Sequence, residues 1–445
     1  MQTTALITKF FPGAVWLALA CFSAVMLGAQ SEPLVLEGKR GPGHGKQIVF
    51  VVGDQEYRSE ESMPALARIL AERDGFRCTV LFSINPQTGE IDPATTGNIP
   101  GLEALRRADL MVLFTRWLAL PDDQMKEIID YTNSGRPIVA LRTATHAFNF
   151  EKHPESAYAK YSYHNKEFDG GYGRQVLGET WIRHYGAHQK ESTRGIIVPG
   201  MENHPILRGV KDIWGESDVY AVTTLSGDSQ PLVMGQVLTG MEPSSPPDPA
   251  KKLVPIAWVK TYTGESGKPD RIFTTTMGHA MDFRNEGFRR MVVNACFWAM
   301  GMKTSLNHNV ALVRAYNPNP IGEGKFKTGL KPSESSVGHH ASALRNPARA
   351  AAAISHIVSS RVNSSSATLT TVTATVKLPV TASRASGTVL ANSSPAPASR
   401  TARMALLTRA RSARAPRYWT SGIIKNAGVI IASHPAHAPG MPSTK

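Results

Sequence analysis

The chain has 445 residues, 42% of them hydrophobic, which allows a sizeable core and, at ordinary domain sizes, two or three domains. Its formal charge of +14 would suggest a nucleic-acid partner if it were evenly spread. Residues 303–445 hold 18 Lys and Arg against 2 Asp and Glu, leaving residues 1–302 with 31 against 33, so the basic character belongs to the tail and no nucleic acid is expected on the folded part.

The chain opens with Lys9, an apolar stretch from Phe10 to Leu27, and the small pair Gly28-Ala29 ahead of Gln30-Ser31. That is the layout of a secretory signal peptide over residues 1–29, and it predicts an exported protein, periplasmic or secreted. An uncleaved anchor is the alternative, because the apolar run approaches the length that spans a bilayer. A lipoprotein site at Cys21 fits less well, since apolar residues follow it. No other stretch could cross a membrane, so the mature form is expected to have no span. Residues 30–45, Gly-rich from Gly38 to Gly45, read as a linker.

From residue 46 the pattern alternates. Gln47 to Val52 is a continuous apolar run closed by Gly53, as in a strand buried on both faces of a parallel sheet. Met63, Leu66, Ala67 and Leu70 recur at helical spacing up to Arg73, with Ser62 as N-cap and Pro64 in the first turn. Further strands are predicted at Phe76–Phe82, Leu110–Phe114 and Pro137–Leu141, with a short helix at Leu102–Arg107 and another from Leu120 through Tyr131. This order predicts a doubly wound α/β sheet, whose sites lie at the carboxyl ends of the strands. Later strand candidates are Gly195–Val198, Pro231–Met234, Ile256–Val259 and Arg271–Thr275, separated by a Pro/Ser-rich loop at 242–252 and closed by an amphipathic helix over Glu286–Met302. Cys78 and Cys296 lie in apolar runs and read as small buried hydrophobes, a disulfide being the alternative.

Polar clusters follow three of the strands: Gly53 to Arg58, Arg142 to His146, and Thr275 to Asp282. Loops after neighbouring strands converge on one edge, so these nominate Asp54, Glu56, Tyr57, Arg142 and Thr143 as substrate-binding residues, joined by Glu216. Arg142, leaving a buried strand, needs an anion or carboxylate partner from protein or substrate. His279, with Asp282 close enough in sequence to orient it, and His146 are the catalytic candidates. His164, Glu179, His184 and His188 form a fourth group. On a helix, His184 and His188 would share one face as a metal pair requires, but Tyr185 follows His184 where a metalloprotease has Glu. Rim histidines are the preferred reading, and no metal ligand set or cofactor is assigned.

Gly53-Asp54-Gln55-Glu56-Tyr57, His204-Pro205-Ile206, Glu216-Ser217-Asp218-Val219-Tyr220, Pro255-Ile256-Ala257-Trp258, Gly278-His279 and Asn294-Ala295-Cys296-Phe297-Trp298-Ala299 resemble, in order and spacing, the trehalose-utilisation (ThuA-like) family. The resemblance covers residues 46–302. It implies the flavodoxin-like fold of the class I glutamine amidotransferase-like superfamily. That superfamily carries a nucleophilic cysteine in a turn after a strand; the matching run here is Ala140-Leu141-Arg142-Thr143-Ala144, and a guanidinium is no nucleophile. The resemblance therefore implies no glutaminase activity, and a small sugar-like ligand, a carbohydrate or keto-sugar. Two classes stay open, an enzyme on such a ligand and a non-catalytic module that binds it.

No Asp or Glu appears after Glu334, and Ala, Ser, Thr and Arg dominate without apolar period. Residues 303–445 read as a disordered basic tail, or in part as out-of-frame translation.

Overall fold

A computed structural model describes residues 32–336, together with two two-residue strands further on. The expected leader at 1–29 lies outside the described residues, as does most of the tail. Within a second unit, Ala343–Lys445, Thr375–Val376 pairs antiparallel with Val429–Ile430.

The first unit is a mixed α/β sheet of ten strands with few helices. Its strands are β1 Leu34–Glu37, β2 Gln47–Gly53, β3 Arg77–Phe82, β4 Leu110–Thr115, β5 Ile138–Leu141, β6 Thr193–Ile197, β7 Trp214–Gly215, β8 Gln230–Val237, β9 Val254–Thr263 and β10 Pro269–Thr275, in spatial order β1-β3-β2-β4-β5-β10-β9-β8-β6-β7. Strands β3, β2, β4, β5 and β10 run parallel; β1 and the β9-β8-β6-β7 wing are antiparallel additions.

The apolar runs act as their composition requires. Ile48, Phe50 and Val52 of β2 pack on one face with α1 (Ser59–Asp74) and α3 (Glu286–Ala299), while Val49 and Val51 pack on the other with α2 (Asp122–Asn133). Helix α1 ends at Gly75, whose φ of 83° lets its N–H return to the Ala71 carbonyl while Phe76 N–H reaches Leu70. Asn285 caps α3, accepting from Phe288 N–H at 2.8 Å. Residues 102–107 coil as a 3₁₀ helix. No helix among the described residues is long and apolar enough to cross a membrane.

Two boundaries differ from the sequence reading. The linker at 30–45 contains β1, because the apolar Leu34 finds a buried place where the strand pairs with the edge of β3. Residues 303–336, placed with the tail, pack on the domain through isolated anchors instead of a periodic face. Val310 is buried and its carbonyl accepts from Arg289 Nε at 3.0 Å, Tyr316 donates to the Ala280 carbonyl at 2.7 Å, and Glu323 pairs with Arg116 at 3.0 Å.

Candidate functional site

The chain reverses its direction of travel across the sheet between β2 and β4, which is where a parallel sheet opens a crevice at its carboxyl edge. The residues leaving β2, β4 and β5 meet there. Asp54 is fully buried; its carboxylate accepts from the N–H groups of Glu56 (2.8 Å) and Tyr57 (2.5 Å) and from Thr143 Oγ1 (2.5 Å), tying the β2 loop to the β5 loop. Arg116 donates its N–H to the Gly53 carbonyl, stacks 3.8 Å over Trp117, and pairs with Glu56 at 3.0 Å. Arg58, Trp117 and Arg142 have φ values of 61°, 53° and 46°, a left-handed conformation that costs a non-glycine residue free energy. Each follows a different strand of the same crevice.

Arg142 begins the turn after β5 at the position where the resemblance would put a cysteine. Its guanidinium is wholly enclosed. Nη1 donates to the carbonyls of Asp218 (2.6 Å) and Thr276 (2.7 Å), Nη2 to Asp218 Oδ1 (2.7 Å), and the rings of Tyr57 and Tyr220 flank it at 4.5 and 3.8 Å. The required carboxylate partner is thus Asp218, 76 residues away, and Arg142 positions that residue instead of facing a ligand. Burial pushes the Asp218 carboxyl up, but Arg142 and two histidines outweigh burial and hold it well below the usual range.

Those histidines are His184 and His188. They lie in an irregular loop, not a helix, and the loop brings their ring centroids within 4.7 Å. Nδ1 of His184 lies 2.6 Å from Asp218 Oδ2, Nδ1 of His188 lies 2.9 Å from Oδ1, and Nε2 of His188 lies 3.1 Å from Glu56 Oε1. Hydrogen bonding to Asp218, then to Glu56, pushes His188 up to about 9. His184, His188 and Asp218 each offer a ligand atom, all within 4.8 Å of one another, and could hold a metal. The sequence preference for rim histidines missed this because Asp218 is remote in the chain. His164 is exposed and Glu179 pairs with Arg174, so the rest of that fourth group lies elsewhere.

Beside the cluster is an aromatic wall. His146 is buried among Trp117, Tyr163, Trp181 and Tyr220, with ring centroids 5.2–6.1 Å away. Burial, then Arg116 and Arg142, keeps it neutral by pushing its pKa well down. Trp117, Tyr163 and Trp181 are half-buried, and both indole N–H groups lack a hydrogen-bond partner among the described residues. None of these aromatics was singled out from sequence; Trp117 stands just beyond β4, while Tyr163 and Trp181 lie in the long irregular stretch between β5 and β6.

The structure separates the proposed catalytic pair. His279 is fully buried, both ring nitrogens lack a partner among the described residues, and burial, then Arg142 and Arg58, pushes it down to about 3. Asp282, three residues on in a 3₁₀ turn, instead accepts from Ser217 Oγ (2.5 Å), Ser217 N–H (3.1 Å) and Gly278 N–H (2.9 Å). It fastens the chain before Asp218 and orients no imidazole. His279 still borders the cluster, 6.3 Å from the Tyr57 ring. Asp54 and Thr143 bind each other, and burial, then the Asp282 carboxylate, pushes half-buried Glu216 up. Of the substrate-binding candidates, Glu56 alone is both in the cluster and partly open.

The model of the trehalose-utilisation family, ThuA, matches residues 47–299. Among solved structures, a ThuA-like protein of Parabacteroides merdae is similar over 63% of this chain and 96% of its own, at 15% identity and a TM-score of 0.39. One from Bacteroides uniformis covers 59% and 94%, at 13% identity and a TM-score of 0.37. No curated protein matches the chain. The family model spans more than half of the sequence, and the chain belongs to the ThuA, trehalose-utilisation, family.

Proposed function

We propose that this is an exported protein whose ThuA-like domain binds or acts on a carbohydrate or keto-sugar in the cleft above β2, β4 and β5. The observation that carries the reading is the pairing of an aromatic wall with a charged floor. Trp117, Tyr163 and Trp181, all half-buried, offer ring faces for the C–H surfaces of a sugar, and Glu56 and the histidines offer partners for its hydroxyls. The parallel order β3-β2-β4-β5-β10 supports a flavodoxin-like, amidotransferase-like ancestry, and the left-handed turn at Arg142 has the form of a nucleophile elbow. Arg142 at that elbow, and the burial of Cys78 and Cys296 in the core, where their thiols are pushed upward, support a reading without glutaminase activity.

A thermal-shift screen of trehalose, glucose and keto-sugars derived from them tests the reading, because a specific ligand raises apparent stability by mass action. Stabilisation by a member of this set, lost in Trp181→Ala, is expected. Indifference to the whole set, or stabilisation that survives Trp181→Ala, rejects it. Export rests on residues 1–29 and is checked by N-terminal sequencing of the protein from cells. A mature start at Gln30 is expected, and an intact Met1 rejects it.

A further inference from the structure

We propose that His184, His188 and Asp218 form a binding site for one divalent first-row transition-metal ion of the zinc class at the mouth of the cleft. Two imidazole nitrogens and a carboxylate oxygen suit borderline ions such as zinc, whereas magnesium and calcium favour sites built from oxygen. The donors already converge. Both Nδ1 atoms face the oxygens of one carboxylate, at 2.6 and 2.9 Å, and the three ligand atoms lie within 4.8 Å of one another.

The surroundings are those of a metal site as much as the donors are. With Nδ1 of His188 turned to the ion, its Nε2 lies 3.1 Å from Glu56 Oε1, near enough that a small turn of the ring aligns the carboxylate–histidine–metal arrangement that fixes tautomer and ring orientation. Asp218 is held in turn by Arg142, whose guanidinium fixes one carboxylate oxygen and the Asp218 carbonyl so that the ligand cannot swing away. The Tyr220 ring packs edge-on against His184 at 5.5 Å, and the Tyr57 ring against His188 at 6.0 Å. Both imidazoles are half-buried and the Trp181 ring packs 5.8 Å from that of His184, so the ion would lie beside the aromatic wall. Three protein ligands with an open position are the pattern of catalytic sites, where the ion polarises a carbonyl or hydroxyl oxygen. The metal proposal rests on the sugar-binding reading only for this last role.

The test is calorimetric titration of untagged full-length chain, stripped with EDTA and dialysed, with zinc and separately with cobalt(II), stoichiometry being checked by elemental analysis. One equivalent per chain is expected, together with the visible absorption of cobalt bound to nitrogen and oxygen in a four- or five-coordinate site; magnesium and calcium should not compete. His184→Gln and His188→Gln, both at the partly open rim, should each abolish stoichiometric uptake while keeping the wild-type circular dichroism. Glu56→Gln should weaken it about 10–100-fold, and His164→Gln should leave it unchanged. No uptake, or uptake that survives both histidine variants, overturns the proposal. Sugar binding is measured separately in EDTA: sugar binding without metal uptake rejects the ion and keeps the cleft, and metal uptake with no sugar binding does the reverse.

Discussion

Replacing Arg142 with Met separates the two roles this residue could have. In the structure the Arg142–Asp218 pair is 2.7 Å long and both side chains are buried, at 0% and 1% exposure. Met keeps a similar length at the same left-handed backbone but removes the charge, leaving the Asp218 carboxylate with histidines alone and the Asp218 and Thr276 carbonyls without their donor. Deleting one partner of a buried pair costs about 3–5 kcal/mol. With a urea m of about 3 kcal/mol/M, the unfolding midpoint should fall by about 1–1.7 M. The assay is equilibrium urea unfolding in EDTA, followed by tryptophan fluorescence. Asp218→Asn and the double variant complete a cycle. If the two groups answer each other, the double variant should be more stable than the sum of the single losses predicts, by at least about 2 kcal/mol. A loss below about 1 kcal/mol for Arg142→Met, or additive losses, refutes the positioning role and restores Arg142 as a free anion-binding group.

Three other outcomes are expected. Burial pushes Asp270 up to about 7, with Tyr262 N–H and Lys260 opposing. Its unfolded form releases the proton first, so this residue's contribution to stability falls as pH rises from about 4 to about 7. Asp270→Asn should therefore stabilise the domain at pH 8, by up to about 4 kcal/mol, and leave it nearly unchanged at pH 3.5; equal effects at both pH values in thermal melts contradict this. Ending the chain after residue 302 removes buried Val310 and the Tyr316 and Glu323 contacts, so it should destabilise by more than about 2 kcal/mol, whereas ending it after 336 should not. Equal urea midpoints for the two truncations reject that account. Cys78 and Cys296, both buried, should resist a thiol reagent in the native state and react once unfolded; rapid native labelling mapped to either by mass spectrometry contradicts their core placement.

The parallel core was legible because its strands are uninterrupted apolar runs, such as Gln47–Val52, that only a sheet covered on both faces can bury. The strand-end clusters were legible for the same reason, since turning polar at Asp54 and Arg142 marks where each strand leaves the core. What the linear chain hid is partnership. Arg142 announced a need for a carboxylate, but nothing local identifies Asp218, and only the folded chain brings them together across 76 residues. His279 and Asp282 were misjudged because nearness in sequence was taken for nearness of side chains; the 3₁₀ turn sends the carboxylate to Ser217 and Gly278. His184 and His188 were tested against a helix they do not form. Residues 303–336 looked unpacked because a strap held by single anchors carries no period.

Fluorescence titration registers whether a ligand enters the cleft between the aromatic wall and the Asp218 cluster. Trp117 and Trp181 are themselves the wall, so a sugar or keto-sugar seated there should change the intrinsic emission saturably. This change should disappear in Trp181→Ala and in Asp218→Asn. A ligand that binds with the same affinity in both variants would contradict it.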